Sequence, residues 1–476
     1  MTTTDPSSPI IVWIRRDLRL SDNPALQAAH ASNRPVIPVF VLDPVIANMG
    51  TAPAWRMGQG LAVFARTLAE AGSQLTLRTG DAATTLDDLI ATTGATSVYW
   101  NRAYDPASIA RDTAIKDRLK VRDLDVRSFA GNVMFEPWTT ETKTGGYYKV
   151  YSPFWRAIKD RDVAHVPTVT GPIAAPATWP ETLSLDRLKL GAGMNRGAAI
   201  LAQHTAAGEQ AALDALAHFL DENVERYKDY RDFPAIKVTS GLSEYLATGE
   251  IGARTCWHAG MRVLQSGSKG AEKFVKEVVW RDFAYHLLYH SPHILTDNWR
   301  PGWDSFGWNT DTTRADVVAW KQGRTGVPFV DAAMREMYVT GKMHNRARMI
   351  VGSYLTKHLL THWKIGRDWF ADCLTDWDVA SNAMGWQWIA GCGPDAAPYF
   401  RVFNPETQLA KFDKLGAYPH QWIAESYHNP TETALSYFDA IPRSWTIAAS
   451  DRYPSPSITL AQGRINALNA YAANKT

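Results

Sequence analysis

At 476 residues, with 45% hydrophobic and 21% charged side chains, the chain has the composition of a globular protein long enough for two or three domains. A net charge of +2 excludes a protein that binds nucleic acid through its overall charge, although it is compatible with a local basic groove. The apolar runs are too short to span a membrane, the opening residues lack a secretory-signal pattern, and three scattered cysteines match no zinc or disulfide spacing. We therefore expect a cytoplasmic protein with no membrane partner and no metal.

The N-terminal part alternates β-rich and helix-rich segments. The runs PIIVWIRRD, VIPVFVLD, LTLRTG and SVYWNR predict four strands, and the segments rich in Ala and Leu between them predict helices. This alternation indicates βαβ units and a parallel sheet, which we assign to an α/β, Rossmann-like domain over residues 8–135. The first strand is not followed by GxGxxG, so the standard dinucleotide fingerprint is missing from the sequence.

A change in composition marks the end of this domain. Residues 136–204 include VPTVTGPIAAPATWPETLSLDRLKLGAG, whose Pro, Thr and Gly residues interrupt helices and strands, so we predict a long surface connection. Over residues 205–476, segments such as EQAALDALAHFLDENVERY carry apolar residues at helical spacing. We expect a large all-α domain there.

The first unusual stretch of the helical part is TSGLS at 239–243, which places hydroxyl groups and a glycine just before a helical segment. Unpaired N–H groups and the positive end of the helix dipole suit a phosphate group at such a place. The alternative is that Thr239, Ser240 or Ser243 simply caps its own helix. These residues alone favour the capping interpretation.

The second stretch contains Glu277, Trp280 and Arg281. On a helix Glu277 and Arg281 lie one turn apart, so a solvated ion pair beside a buried tryptophan is the default interpretation. The alternative is a binding function, since a carboxylate beside an aromatic platform suits recognition of a base edge.

The third stretch, Met343–Pro405, contains more polar, charged and aromatic groups than an ordinary core. An Arg348–Asp376 ion pair would usually be structural, because each buried charge needs a partner. Trp386 and Trp388 lie two residues apart, so one apolar helix face cannot account for both. Of the 19 tryptophans 13 follow residue 250, which indicates either large cores or stacking platforms and an electron path; composition alone favours the cores.

These motifs resemble the photolyase/cryptochrome flavoproteins over nearly the whole chain. The matching segments run from VWIRRDLRLSDNPAL to PYFRVFNPETQLAKFD and include KVYSPFWR, EVVWRDF, MHNRARMI and SNAMGWQW. The resemblance implies an α/β antenna domain, a long connection and a helical domain that holds FAD. The segment GWQWIAGCGPDAAPYFRVFNP is similar to the class I enzymes that repair cyclobutane pyrimidine dimers.

The resemblance also assigns roles toward FAD. It implies that Tyr227, Thr239, Ser240, Leu242 and Ser243 hold the pyrophosphate. It also implies that Arg348 and Asp376 lie against the isoalloxazine ring, that Asp378 faces its pyrimidine edge, and that Asn382 faces its N5 atom. The full predicted FAD-binding set is Tyr227, Thr239, Ser240, Gly241, Leu242, Ser243, Arg281, Arg348, Asp376, Asp378 and Asn382.

Three tryptophans match the electron-transfer chain of the family, which carries electrons from the surface to photoexcited flavin. They are Trp386, Trp363 and Trp308, with Trp303 or Trp320 as alternatives for the outermost member. An exposed packing residue is the other interpretation of Trp308.

A substrate and a reaction are implied as well. The predicted lesion pocket is Glu277, Trp280, Asn345, Met349 and Trp388, and the predicted phosphate contacts are Arg231, Arg346 and Arg401. The implied partner is UV-damaged DNA, single- or double-stranded, bound by a monomer with the lesion flipped out of the stack. An electron passes from photoexcited reduced FAD to the dimer, the cyclobutane ring is cleaved, and the electron returns.

One pair of positions separates the relatives. The enzymes that repair (6–4) photoproducts carry histidines where Asn345 and Met349 stand, so this pair favours the cyclobutane dimer. The alternative function is a cryptochrome-type blue-light photoreceptor without repair activity, against which the intact lesion-pocket set argues.

A second, antenna chromophore is left open between deazaflavin, methenyltetrahydrofolate and none. Folate-binding members have an Asn-Glu pair where this chain has Ala107-Ser108. The segment WRMGQGL around Trp55 and Arg56 is similar to deazaflavin-binding members, but only over a short stretch.

Overall fold

The computed structural model describes residues 7–194, 197–396 and 398–474. Its N-terminal part contains a five-stranded, fully parallel sheet in the order β3-β2-β1-β4-β5. The strands are β1 Ile10–Ile14, β2 Val36–Leu42, β3 Thr76–Thr79, β4 Ser97–Asn101 and β5 Asp125–Phe129. The α/β class and the four predicted strands are confirmed. The sequence analysis does not predict β5, because DVRSF forms a half-exposed edge strand without an apolar run.

Helices pack on both faces of this sheet, so its central strands are apolar on both sides. Ile10, Val12 and Ile14 of β1 join one core, while Ile11 and Trp13 join the other. The helices of this domain are α1 Pro24–His30, α2 Pro44–Ala47, α3 Thr51–Glu70, α4 Ala82–Thr93 and α5 Pro106–Lys120. All but α3 begin at an Asn or Asp whose side chain accepts a hydrogen bond from the first turn.

The chain changes direction across the sheet between β1 and β4, where open α/β sheets commonly bind ligands beyond the carboxyl ends of their strands. In this protein its own side chains occupy that position. Arg15 pairs with Asp112 at 2.5 Å, and Arg111 pairs with Asp43 at 2.6 Å and with Asp112 at 2.7 Å. Both guanidinium groups lie 4.7 Å from the ring centre of Trp13.

The rest of the chain is helical, which confirms the predicted all-α part. Its helices are α6 Tyr151–Ile158, α7 Gly197–Ala202, α8 Glu209–His218, α9 Val224–Tyr230, α10 Ser243–Thr248, α11 Ala253–Gln265, α12 Lys269–His290, α13 Ala315–Lys321, α14 Pro328–Thr340, α15 Asn345–Ser353, α16 Trp363–Cys373, α17 Val379–Ala390, α18 Pro405–Phe412, α19 Ala417–Trp422, α20 Glu432–Ala440 and α21 Leu460–Ala473. Two π-helical turns, Phe219–Asn223 and Tyr354–His358, interrupt the helical pattern. Within the described ranges, no helix is both long and apolar enough to cross a membrane.

Part of the predicted connection returns along the α/β domain. The backbone N–H of Ile173 donates to Ala71 at 2.8 Å, and that of Leu183 donates to Leu77 at 3.0 Å. The predicted domain boundaries at 135 and 204 stay predictions, although β5 ends before the first and α7 before the second.

A buried ion-pair network joins the two domains. Arg56 of α3 is fully buried and pairs with Glu250 at 2.5 Å; Glu244 of α10 lies 4.0 Å from the same guanidinium group. Nearby, Asp22 pairs with Arg254 at 2.7 Å. The segment around Arg56 that resembles deazaflavin-binding members therefore packs against the helical domain.

Candidate functional site

A cavity of about 580 Å³ lies in the helical domain. Its walls come from the end of α9, from α10, α12, α15 and α17, and from the segment between α16 and α17. The predicted site residues that line it are Tyr227, Arg231, Ser240, Leu242, Ser243, Glu277, Trp280, Arg281, Asn345, Arg348, Met349, Asp376, Asp378, Asn382, Trp386 and Trp388. The other predicted site residues, outside this wall, are Thr239, Gly241, Trp308, Arg346, Trp363 and Arg401. Residues from three distant stretches of the sequence thus line the same cavity.

The start of α10 forms one end of the cavity. Gly241 has a φ of +65°, and Leu242 occupies the N-cap position. A leucine side chain cannot accept a hydrogen bond, and none of the described side chains caps this helix, so the capping interpretation of the TSGLS segment is wrong. Ser240 and Ser243 line the cavity beside N–H groups that have no intrahelical partner.

Arg348 and Asp376 form the predicted ion pair, at 2.7 Å. The Arg348 Nε also donates to the Met343 carbonyl at 2.8 Å, which fixes the guanidinium plane. The second oxygen of Asp376, Oδ1, is buried and has no hydrogen-bond partner among the described residues. An unpaired carboxylate oxygen in a cavity wall is costly, so it indicates a polar ligand on the cavity side.

Asp378 is held in its charged form. Burial acts to raise its pKa, but the charge of Arg281 and hydrogen bonds from Tyr285 and from the Ser381 N–H outweigh burial and lower the pKa below its usual value. Asp378 is also the N-cap of α17, which directs the carboxylate toward the first turn of that helix. In the same helix the Asn382 amide nitrogen donates to the Arg367 carbonyl at 3.0 Å.

The expected Glu277–Arg281 ion pair is wrong. Arg281 donates to the Asn132 carbonyl at 2.6 Å and balances Asp378 instead. Glu277 pairs with Lys273 at 2.8 Å, one turn back along α12, and with Arg231 at the end of α9. The spacing along α12 allows Glu277 to pair with either Lys273 or Arg281. The neighbouring helix α9, which brings Arg231 to Glu277, decides between them.

Aromatic side chains form part of the cavity wall. Trp280 stacks on Tyr151 with ring centres 3.8 Å apart and an angle of 5° between the planes. Trp388 is half-buried and lines the same cavity from α17. Asn345 and Met349, four residues apart on α15, both contribute to the wall. Two indole rings, an amide and a thioether therefore line the same cavity as the carboxylate of Glu277.

Two of the three arginines predicted to contact phosphate are engaged inside the protein. Arg231 pairs with Glu277, and Arg346 pairs with Asp232 at 2.7 Å. Arg401 is exposed, and its carbonyl accepts a hydrogen bond from the buried Lys357 at 3.0 Å. Burial lowers the pKa of Lys357 to about 7, with a smaller contribution from the charge of Arg401.

The three predicted electron-transfer tryptophans are buried in the same domain. Trp386 packs directly on Gly366, where a methyl group would overlap the indole ring. Trp363 lies on the same helix as Gly366, and the His362 ring lies 5.6 Å from Trp363 and 5.2 Å from Trp308. Trp308 is only 7% exposed, so its interpretation as an exposed packing residue is wrong.

The two alternative tryptophans lie in this aromatic core as well. Trp303 stacks on Trp308 with ring centres 5.6 Å apart, and the Trp320 ring lies 6.2 Å from Trp386. Both alternatives therefore lie beside predicted members of the electron-transfer chain.

A second cavity of about 580 Å³ lies where the start of α3 meets the helical domain. Trp369 and Trp445 line it with their rings nearly parallel, 6.5 Å apart at 21°. The Trp369 N–H donates to the Tyr338 hydroxyl at 3.0 Å, which fixes that ring. The sequence analysis does not single out either tryptophan.

The comparisons with known proteins agree with this geometry. A family model described as DNA photolyase matches residues 10–172, and one described as the FAD binding domain of DNA photolyase matches residues 274–473. A deoxyribodipyrimidine photo-lyase from Agrobacterium fabrum is 43% identical, with 98% of each chain covered. The chain belongs to the photolyase/cryptochrome family. Its helical domain is accordingly the FAD-binding domain of that family.

Two further relatives show the breadth of the family. The crystal structure of a bacterial class III photolyase from Agrobacterium tumefaciens superposes with a TM-score of 0.90 at 42% identity and covers 100% of this chain and 99% of that one. Cryptochrome-2 from Arabidopsis thaliana is 34% identical over 95% of this chain and 77% of its own length. The class I assignment is not supported by these relatives.

The cavity of this photolyase/cryptochrome protein fits FAD. The uncapped start of α10 suits a pyrophosphate, and the free Oδ1 of Asp376 and the charged Asp378 suit a polar ring edge. The described residues include no group of three or more His, Cys, Asp or Glu side chains placed to hold a metal ion. Sequence reasoning misses Tyr285, Lys273 and Asp232, because ordinary residue types give no signal of their tertiary partners.

Proposed function

We propose that this protein repairs cyclobutane pyrimidine dimers in UV-damaged DNA under blue light. One observation carries the proposal: the predicted lesion residues and most of the predicted FAD residues line the same cavity. A base held against Trp280 and Trp388 would therefore lie beside the flavin. Arg348, Asp376 and Asp378 would hold reduced FAD in this cavity, and the bound flavin would supply an electron on photoexcitation with no net redox change.

The residues of the chain would bind and orient the lesion. A dimer cannot reach the cavity while stacked in the duplex, and a damaged pair costs less to extrude than an intact one. Trp280 and Trp388 offer apolar faces to the flipped bases. Glu277 would accept hydrogen bonds from a base edge, and the Trp280 ring is already fixed by its stack on Tyr151.

The Asn345 and Met349 pair supports the cyclobutane dimer over the (6–4) photoproduct. Neither side chain can donate a proton in the way that histidine does. The strong similarity to a class III photolyase favours that branch of the family over the class I branch that the sequence motifs suggest.

The role of Glu277 is tested with Glu277→Gln and with Glu272→Gln as a matched control. Glu272 lies on the same helix, half-exposed, and pairs only with Lys276 among the described ion pairs. We expect Glu277→Gln to lower the affinity for a dimer-containing oligonucleotide about tenfold with FAD content unchanged, because a charged acceptor is lost. Equal affinities for the two variants would remove Glu277 from the site.

We also infer that the second cavity holds the antenna chromophore. Two nearly parallel indole rings with centres 6.5 Å apart suit a planar conjugated ring between or beside them. The usual ligand position of the α/β sheet is filled by Arg15, Arg111 and their carboxylates, which also favours the second cavity.

Trp445→Ala tests this antenna site. We expect the purified protein to lose near-UV absorption that is not due to FAD, with its FAD content intact. Trp138→Ala, which removes a 41% exposed tryptophan outside both cavities, is the control. An unchanged absorption spectrum in Trp445→Ala would place the chromophore elsewhere or leave the protein without one.

A further inference from the structure

Five charged side chains form a continuous chain at the mouth of the FAD cavity. Lys273 pairs with Glu277 at 2.8 Å, and Glu277 also pairs with Arg231. The Arg231 Nε lies 4.0 Å from Oδ1 of Asp232, whose other oxygen pairs with Arg346 at 2.7 Å. This chain, the mouth network, connects the proposed lesion carboxylate with an arginine outside the cavity wall.

Asp232 occupies an unexpected position in the mouth network. A carboxylate next to two arginines that serve phosphate groups repels the same DNA that the arginines attract. Its side chain is 33% exposed, so nothing in the core requires its charge. Arg346 is 15% exposed, its guanidinium group lies 4.6 Å from the Phe412 ring centre, and its Nε is buried with no hydrogen-bond partner in the described part of the chain.

We propose that Asp232 is a positioning residue that holds Arg346 in the DNA-free protein and suppresses binding to undamaged DNA. The proposal rests on the proposed function, because it assumes that DNA lies across this mouth. Asp232 competes with the phosphate for Arg346, and its ion pair keeps the arginine in one orientation against Phe412.

The charge balance explains how this favours damaged DNA. The mouth network carries three positive and two negative side chains, so only a small excess attracts a phosphate backbone. Undamaged DNA must displace Asp232 from Arg346 with no other gain. A flipped lesion adds contacts at Glu277, which is joined to Arg231 and through it to Asp232. Only damaged DNA therefore acts on both Glu277 and Arg346 in the mouth network.

The test uses the FAD-loaded protein in the dark and measures the affinity for a short single-stranded oligonucleotide with or without one cyclobutane dimer. Asp232→Asn keeps the shape of the side chain and removes the charge. Asp229→Asn is the matched control, because Asp229 is exposed, lies three residues earlier at the end of α9, and belongs to none of the described ion pairs. Affinities are measured over a range of salt concentrations.

We expect Asp232→Asn to bind the undamaged strand about three- to tenfold more tightly than wild type. Its affinity for the damaged strand should increase less, so that the ratio of the two affinities falls. For undamaged DNA, the slope of log affinity against log salt concentration should steepen by about 0.7, which is the value for one more phosphate contact on a single strand. Asp229→Asn should change neither quantity by more than about twofold. In an Arg346→Ala background, Asp232→Asn should lose its effect.

Either of two results would overturn the proposal. One is a salt dependence in Asp232→Asn equal to that of Asp229→Asn, and the other is an equal loss of affinity for both strands, which a purely structural role would give. A wild-type protein that does not distinguish damaged from undamaged DNA would contradict the proposed function instead, and the salt dependence of the two variants would still decide the role of Asp232.

Discussion

Arg56→Met removes the central charge of the interdomain network and tests how the α/β domain supports the FAD site. Arg56, Glu244 and Glu250 are all fully buried. Removing one partner of a buried ion pair typically costs about 3 to 5 kcal/mol, because the other charge stays buried. Glu244 keeps Lys342 at 2.6 Å, and Glu250 keeps the Gly208 N–H at 2.7 Å. Because these partners remain, we expect the free energy of unfolding to fall by about 3 kcal/mol, the lower end of this range.

The substitution should also weaken the retention of FAD. Glu244 lies in α10, whose first residues line the FAD cavity, so a shift of this helix weakens FAD retention. We would follow urea-induced unfolding by tryptophan fluorescence and FAD release by flavin fluorescence. Arg66→Met, an exposed arginine of the same helix, is the control. The reasoning would be refuted if Arg56→Met and Arg66→Met had the same urea midpoint and the same FAD release.

Three shorter predictions follow from the same geometry. Trp363→Phe should abolish photoreduction of oxidised flavin, measured as bleaching of its blue absorption band, yet spare repair by chemically reduced protein; surviving photoreduction would show that the electron path bypasses this fully buried ring. Burial lowers the pKa of His344 to about 4, below its unfolded value of about 6.5, so its contribution to stability is complete above pH 6.5 and is lost as pH falls toward 4. His344→Asn keeps a good N-cap for α15, and its urea midpoint should differ less between pH 7 and pH 5 than that of wild type. If the two proteins show the same difference, other groups cause the pH dependence. Tyr285→Phe removes a hydrogen bond to Asp378 and should raise the pKa of that carboxyl, so that FAD release on acidification begins at higher pH than in wild type; release at the same pH would show that Arg281 and the Ser381 N–H keep Asp378 charged without Tyr285.

The sequence predicts the architecture well where local signals are strong. Buried strands such as Ile10–Ile14 and Val36–Leu42 are continuous apolar runs, and the helical part shows clear periodicity. The edge strand Asp125–Phe129 is missed because its apolar signal is weak. The Arg348–Asp376 pair is predicted correctly because both residues stand out as charges in a crowded stretch.

Tertiary contacts account for what the sequence does not predict. Glu277 has candidate partners one turn away on either side, and the pairing with Arg231 depends on how α9 packs against α12. The capping interpretation of TSGLS fails because α10 begins at Ser243, so the N-cap position falls on Leu242 and not on a hydroxyl residue. The second cavity brings together Trp369 and Trp445, which lie far apart in sequence and carry no local motif.

Blue-light repair of single-stranded DNA with one defined cyclobutane dimer tests the central claim most directly. The FAD-reduced protein is compared in light and in the dark, and a parallel substrate carries one (6–4) photoproduct. We expect loss of the cyclobutane dimer only in light and no change in the (6–4) product, as Asn345 and Met349 indicate. An intact dimer after illumination of protein that holds reduced FAD would contradict the proposal and favour a photoreceptor with an unused lesion pocket.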